Sequence, residues 1–136
     1  MTKIVLDSSA YTRFVMGDRE VLGALSRAKT VYFSVFVLGE LLAGFKAGTH
    51  EAENKKVLSA FLSKPSVVVL PAGEETADCY GLIWAALRKA GRPIPTNDVW
   101  IAAQTMETGS VLISYDAHFA AVPGLRLWDR LNEIPR

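Results

Sequence analysis

Short β-branched, apolar segments alternate with segments of helical periodicity along the whole chain, and that alternation leaves few ways to fold it. Residues 3–6, 31–33, 67–70, 111–114 and 125–128 read as strands, the third fenced by Pro65 and Pro71. Helical spacing covers 10–16, a stretch after Asp18 with Val21, Leu22 and Leu25 on one face, then 35–46, 51–62, 74–90 and 97–108. Ser34 and Thr96 stand as N-caps of two of these helices, and Gly17, Gly48, Gly91 and Gly109 as stops. Uniformly apolar strands separated by helices imply an α/β fold, with a central parallel sheet of four to five strands flanked by helices on both faces. At 136 residues, half of them apolar and 21% charged, the chain has material for one core, so 1–136 is expected to be a single domain.

In open sheets of this kind ligands bind outside the carboxyl ends of the strands, near the point where strand order reverses. Acids collect there. Asp7 directly follows the first strand, and Asp116 lies two residues beyond the fourth. Asp98 stands in the first turn of the helix that feeds the fourth strand. Such a helix runs antiparallel to the strands, so it too begins on the carboxyl rim. Glu40 interrupts the apolar run 35–42, and the residues three and four positions away are Phe36, Val37, Ala43 and Gly44, so no local ion pair serves it. Taken singly, Asp7 and Asp98 read as helix-start carboxylates, Asp116 as a turn residue and Glu40 as a solvated helix position. Gathered on one rim, four carboxylates repel unless cations or protons intervene, and oxygen-only ligands favour Mg²⁺ or Mn²⁺ over zinc.

The net charge of +1 gains meaning once these acids are set aside. Ten acids then face 15 lysines and arginines, a mildly basic body of +5 around an acidic pocket, which suits a metal-bound polyanionic substrate. Arg13, Lys46, Arg92 and Arg88 are the basic residues expected near the rim as substrate contacts. Tyr11, Phe36, Trp84 and Trp100 sit at helical spacing and are expected in the core or a dimer interface rather than stacked on bases. No run approaches the roughly 20 apolar residues of a membrane span, the N-terminus holds no signal-peptide core, and the lone Cys79 closes no intramolecular disulfide. A soluble cytoplasmic protein is expected.

Ile4-Val5-Leu6-Asp7-Ser8-Ser9, Glu40 in its apolar helix, Pro95-Thr96-Asn97-Asp98-Val99-Trp100-Ile101-Ala102-Ala103 and Leu112-Ile113-Ser114-Tyr115-Asp116-Ala117-His118-Phe119 occur in that order. Together they resemble the PIN-domain family, and within it the VapC-type toxins of bacterial toxin–antitoxin pairs. The resemblance implies a three-layer, Rossmann-like PIN fold. It implies a Mg²⁺- or Mn²⁺-dependent endoribonuclease, usually a homodimer, inhibited by a cognate VapB-type antitoxin. Under it Asp7, Glu40, Asp98 and Asp116 are the catalytic and metal residues. Asp7 and Asp98 bind the principal cation, Glu40 bears on it directly or through water, and Asp116 completes the cluster and helps to orient the attacking water. Ser114 stands where the family most often has threonine and keeps its hydroxyl. Ser8 and Ser9 orient Asp7 or contact phosphate, or serve only as caps. His118 stands where many members carry a further acid, which leaves its part in the site open.

Competing chemistries meet specific obstacles. A phosphoacceptor receiver needs an acid at the end of the third strand, where the chain has Leu70-Pro71. A phosphatase of the haloacid dehalogenase class wants an acid two residues after Asp7, where Ser9 stands. A serine hydrolase needs a Gly-x-Ser-x-Gly elbow, which is missing. The remaining rival keeps the fold as a catalytically silent module that holds metal and binds a partner.

Overall fold

The computed structural model describes residues 3–129. Its elements run β1 (Lys3–Leu6), α1 (Ser8–Val15), α2 (Arg19–Arg27), β2 (Thr30–Ser34), α3 (Val35–Ala47), α4 (Glu51–Leu62), β3 (Val67–Leu70), α5 (Glu74–Lys89), α6 (Thr96–Glu107), β4 (Val111–Ile113) and a 3₁₀ helix, Ala117–Ala121. The four strands form one sheet in the order β3-β2-β1-β4, every pairing parallel. Val5 of β1 lies between Tyr32 of β2 and Leu112 of β4. Ile4 to Leu6 and Val111 to Ile113 are all fully buried, as strands covered on both faces must be, and this explains why they read as continuous apolar runs. The edge strand β3 leaves Val68 and Val69 exposed. None of the helices among the described residues is long and apolar enough to cross a membrane.

Local chemistry sets where the helices start. Asp7 caps α1, its Oδ1 accepting the Ala10 N–H at 2.9 Å, so the helix opens at Ser8, two residues ahead of the expected start. Asp18 caps α2 through the N–H groups of Glu20 and Val21, and Ser34 caps α3 through that of Phe36. Thr96 lies inside α6 rather than capping it, because the Pro95 carbonyl already accepts the Val99 N–H at 3.2 Å and closes the first turn one residue earlier. Gly109 ends α6 with φ +64, a conformation that few residues other than glycine adopt.

The expected fifth strand at 125–128 shrinks to a single parallel bridge, Leu112 to Leu127, with the Leu112 N–H donating to the Arg126 carbonyl at 2.8 Å. Beside the bridge the Trp128 indole N–H donates to the Ser114 carbonyl at 2.9 Å. The sheet therefore has four strands, the lower bound of the expectation.

Two aromatic groups tie the helices together. Tyr11 meets Phe33 and Phe61 edge to face at 5.5 and 5.4 Å. Phe36 of α3 stacks on Trp100 of α6 at 5.2 Å and 8°, and Trp100 stacks in turn on Tyr80 of α5 at 4.0 Å. The stack joins the first turn of α3 to the second turn of α6, with Phe36 one turn from Glu40 and Trp100 half a turn from Asp98. Strand order reverses at β1, which has β2 on one side and β4 on the other, so a crevice opens between the carboxyl ends of β1 and β4.

Candidate metal centre

Asp7 leaves β1 at that crevice and is almost completely buried. Its Oδ1 accepts from the Ser9 hydroxyl at 2.8 Å and the Ala10 N–H at 2.9 Å, and its Oδ2 accepts from the Ser114 hydroxyl at 2.5 Å. A carboxylate oxygen offers about two lone-pair sites, so Oδ1 is saturated while Oδ2 keeps one free. Burial pushes the Asp7 carboxyl above its usual range despite these hydrogen bonds, and the Asp116 charge adds to the rise.

Ser114 lies one residue past β4 and works in both directions. Besides donating to Asp7, its oxygen accepts the Asp116 N–H at 2.9 Å. The Ser9 hydroxyl likewise accepts the Tyr115 N–H at 3.1 Å. The ends of β1 and β4 are thus fastened by two serine hydroxyls. Ser8 opens α1 beside them, half-buried.

Asp98, in the first turn of α6, is 9% exposed, and burial raises its carboxyl, offset in part by a hydrogen bond from His118. Asp116 caps the 3₁₀ helix by accepting the His118 N–H at 2.9 Å. The imidazole then folds back, with Nδ1 at 2.9 Å from Asp98 Oδ2 and 3.0 Å from Asp116 Oδ1. Against ionised carboxylates Nδ1 is the donor, and with the ring hydrogen on Nε2 the same nitrogen presents a lone pair. Glu40 comes from α3. Burial and then the charges of Asp98, Asp7 and Asp116 raise its carboxyl, and its Oε1 is fully buried with no hydrogen-bond partner.

The structure therefore brings Asp7, Glu40, Asp98 and Asp116 to one rim, and adds His118. The sequence signal for His118 was its place two residues after Asp116, where the 3₁₀ turn carries the side chain back over its own cap. Tyr115 and Asp18 form a second addition. The Tyr115 hydroxyl donates to Asp18 Oδ2 at 2.7 Å, which lowers the Asp18 carboxyl; burial, followed by this bond, pushes the Tyr115 phenol up to about 12. Arg13 lies over the Tyr115 ring at 4.6 Å, next door to Asp116.

Lys46 does not reach the rim. The helix α3 starts there and runs away from it, so Lys46 sits about 9 Å further along the axis than Glu40, paired with Glu51 at 3.5 Å. Arg92 is exposed in the loop that leads into α6, and Arg88 lies over Trp84 at 5.0 Å.

The donor set suits a hard divalent cation. The charged forms of Asp7, Glu40 and Asp98 are disfavoured, one oxygen of Glu40 is buried without a partner, and ligand atoms of Asp98, Asp116 and His118 lie within 4.8 Å of one another.

Comparisons with known proteins agree with this architecture. A family model described as PIN domain matches residues 4–125. Ribonuclease VapC2 of Haemophilus influenzae is 30% identical over 118 residues, which span 84% of this chain and 86% of that protein. The fold is shared with VapBC2 from Rickettsia felis, whose crystal structure is bound to a promoter DNA fragment, with a TM-score of 0.83 at 21% identity over 93% of this chain and 97% of that one. It is shared too with VapBC-5, a toxin–antitoxin system from Mycobacterium tuberculosis, with a TM-score of 0.74 at 26% identity over 93% and 100% of the two chains. With nearly its whole length matched by the family model, the chain belongs to the PIN domain family.

Proposed function

We propose that the protein is a divalent-metal-dependent endoribonuclease, the toxin of a toxin–antitoxin pair, in which Asp7, Glu40, Asp98 and Asp116 hold Mg²⁺ or Mn²⁺ and water cleaves the RNA phosphodiester bond. The observation that carries this reading is Glu40. An apolar helix places a carboxylate oxygen, buried and unpartnered, within the field of three further acids, an arrangement that costs stability unless a cation completes it. The relative from Haemophilus influenzae is a ribonuclease, and the neighbour from Mycobacterium tuberculosis belongs to a toxin–antitoxin system. This supports RNA as substrate and a VapB-type antitoxin as partner.

When bound, the cation supplies a Lewis acid that lowers the pKa of water and screens the charge of the scissile phosphate. Asp7, held by Ser9, Ala10 and Ser114, presents the free lone pair of Oδ2 without rotating. Asp98 and Glu40 approach from the facing helices α6 and α3. Asp116, fixed through its own N–H and through His118, orients the attacking water by accepting one of its hydrogens. The Ser9 and Ser114 hydroxyls are committed to Asp7, so neither serves as a nucleophile. Arg13 meets RNA phosphate beside the site, while Arg92 and Lys46 contact the strand further away. The reading extends to residues 1–136 as one domain, a homodimer and a cytoplasmic location.

The test is cleavage of structured and unstructured RNA by purified protein with Mn²⁺ or Mg²⁺, with EDTA, and by an Asp98→Asn variant prepared identically. Cleavage lost in both controls is expected. Cleavage that survives in both belongs to a contaminant, and a protein that binds metal without cutting any RNA is the silent partner-binding module instead.

A further inference from the structure

His118 is the one nitrogen donor in a cluster otherwise made of oxygens, and it is built into that cluster rather than placed beside it. The Asp116 carboxylate caps the turn that carries it, so that backbone N–H and ring Nδ1 of one residue both address the same acid, while Nδ1 also reaches Asp98 on a different element. The two spacings, 2.9 and 3.0 Å, match the edge between neighbouring ligands of an octahedral ion with bonds of about 2.1 Å. The position that holds a hydrogen between three ligand atoms therefore also has the dimensions to hold a cation between them. The only other histidine, His50, lies away on the α4 side, 3.9 Å from Glu53, so any imidazole ligand at the rim is His118.

We propose that His118 Nδ1, with the ring hydrogen carried on Nε2 when metal is bound, is a direct ligand of the site's cation, and that this nitrogen makes the site select Mn²⁺ over Mg²⁺. The inference rests on the metal-dependent reading above and deepens it. Mg²⁺ takes oxygen ligands almost exclusively and gives up its waters reluctantly, whereas imidazole suits the transition metals, whose affinities for a mixed site rise from Mn²⁺ onward. An all-carboxylate rim would favour neither ion strongly. Replacing one oxygen position with nitrogen tilts the balance toward Mn²⁺.

The experiment reads the ligand rather than the activity. Mn²⁺ is bound to the wild-type protein and its electron spin echo is examined for ¹⁴N modulation, with a second sample grown on ¹⁵N-histidine as the isotopic control. Imidazole modulation that changes with the label is expected in wild type and absent in His118→Gln and His118→Asp. Calorimetry with Mn²⁺ and Mg²⁺ should show the Mn²⁺ preference falling by about 10-fold or more in His118→Asp, which keeps an oxygen ligand. Mn²⁺ bound without nitrogen modulation overturns the proposal and leaves the carboxylate centre standing. No Mn²⁺ binding by wild type overturns both. The ¹⁴N-against-¹⁵N comparison uses wild-type protein alone, so an unfolded variant does not blunt it.

Discussion

The Ser114 hydroxyl donates to Asp7 Oδ2 at 2.5 Å across 107 residues of sequence, and the same oxygen accepts the N–H of Asp116 at 2.9 Å. One hydroxyl thus sets the spacing between two of the four acids. Ser114→Ala removes the donor from a buried carboxylate, which should cost about 1–3 kcal/mol of stability and weaken Mn²⁺ binding about 10- to 100-fold. Ser114→Thr should restore both. Denaturant unfolding and calorimetry measure the pair, and an alanine variant with unchanged metal affinity would show that Ser9 and Ala10 suffice to hold Asp7.

Trp100 sits between Phe36 and Tyr80 and so links α3, α5 and α6 behind the acids. Trp100→Ala should destabilise the protein by about 3 kcal/mol and lower Mn²⁺ affinity as well, because Glu40 and Asp98 lose the contact that sets their separation. Trp100→Phe keeps a ring in the stack and should retain most of both. If the alanine variant is destabilised yet binds Mn²⁺ as wild type does, the stack supports the fold without positioning the acids.

Burial, aided by neighbouring charge, holds the Asp7, Glu40 and Asp98 carboxyls above their usual range in the metal-free protein. A carboxyl whose folded pKa exceeds its unfolded one binds more protons in the folded state between those two values. Stability therefore falls as pH rises through that window, and the deficit persists above it. Asp98→Asn removes one such deficit. In EDTA its melting temperature should exceed that of wild type near neutral pH, with the gap closing on acidification toward the ordinary aspartate value of 3.8. Mn²⁺ at about 100 times its Kd should add about 2.7 kcal/mol to wild type and invert the order. A gap that stays constant with pH would contradict a carboxyl raised by burial and neighbouring charge.

Arg13 is packed over the ring of Tyr115, the residue next to Asp116. On an Asp98→Asn background, Arg13→Gln should weaken RNA binding and reduce the slope of log K against log salt by about 0.7, the contribution of one phosphate contact on a single strand. Lys46→Gln should change the slope less, since Glu51 already holds that ammonium at the far end of α3. Fluorescence anisotropy over a salt series distinguishes them, and equal slopes for both variants would remove Arg13 from the interface.

Features that depend on neighbours in sequence were legible without coordinates. Asp18 and Ser34 cap the helices they precede, and the apolar runs at 3–6, 67–70 and 111–113 form strands, because caps and strand propensity act over a few residues. The same locality made Glu40 conspicuous, since an acid inside an apolar helix with no partner one turn away must find one elsewhere. Across long separations the alternation placed the acids on one carboxyl rim, but their contacts and the strand order were not legible. The order β3-β2-β1-β4, which makes the β1–β4 crevice the switch point, follows from which crossovers bury the most apolar surface, a property of the whole fold. The expected fifth strand pairs through a single bridge, Leu112 to Leu127, which its apolar pattern alone did not reveal. His118 joined the acids because a 3₁₀ turn, rather than an extended strand, follows Asp116. Hydrogen bonds and charge interactions reach only a few ångströms. Sequence therefore names the groups able to form them, and only tertiary packing decides which come within range.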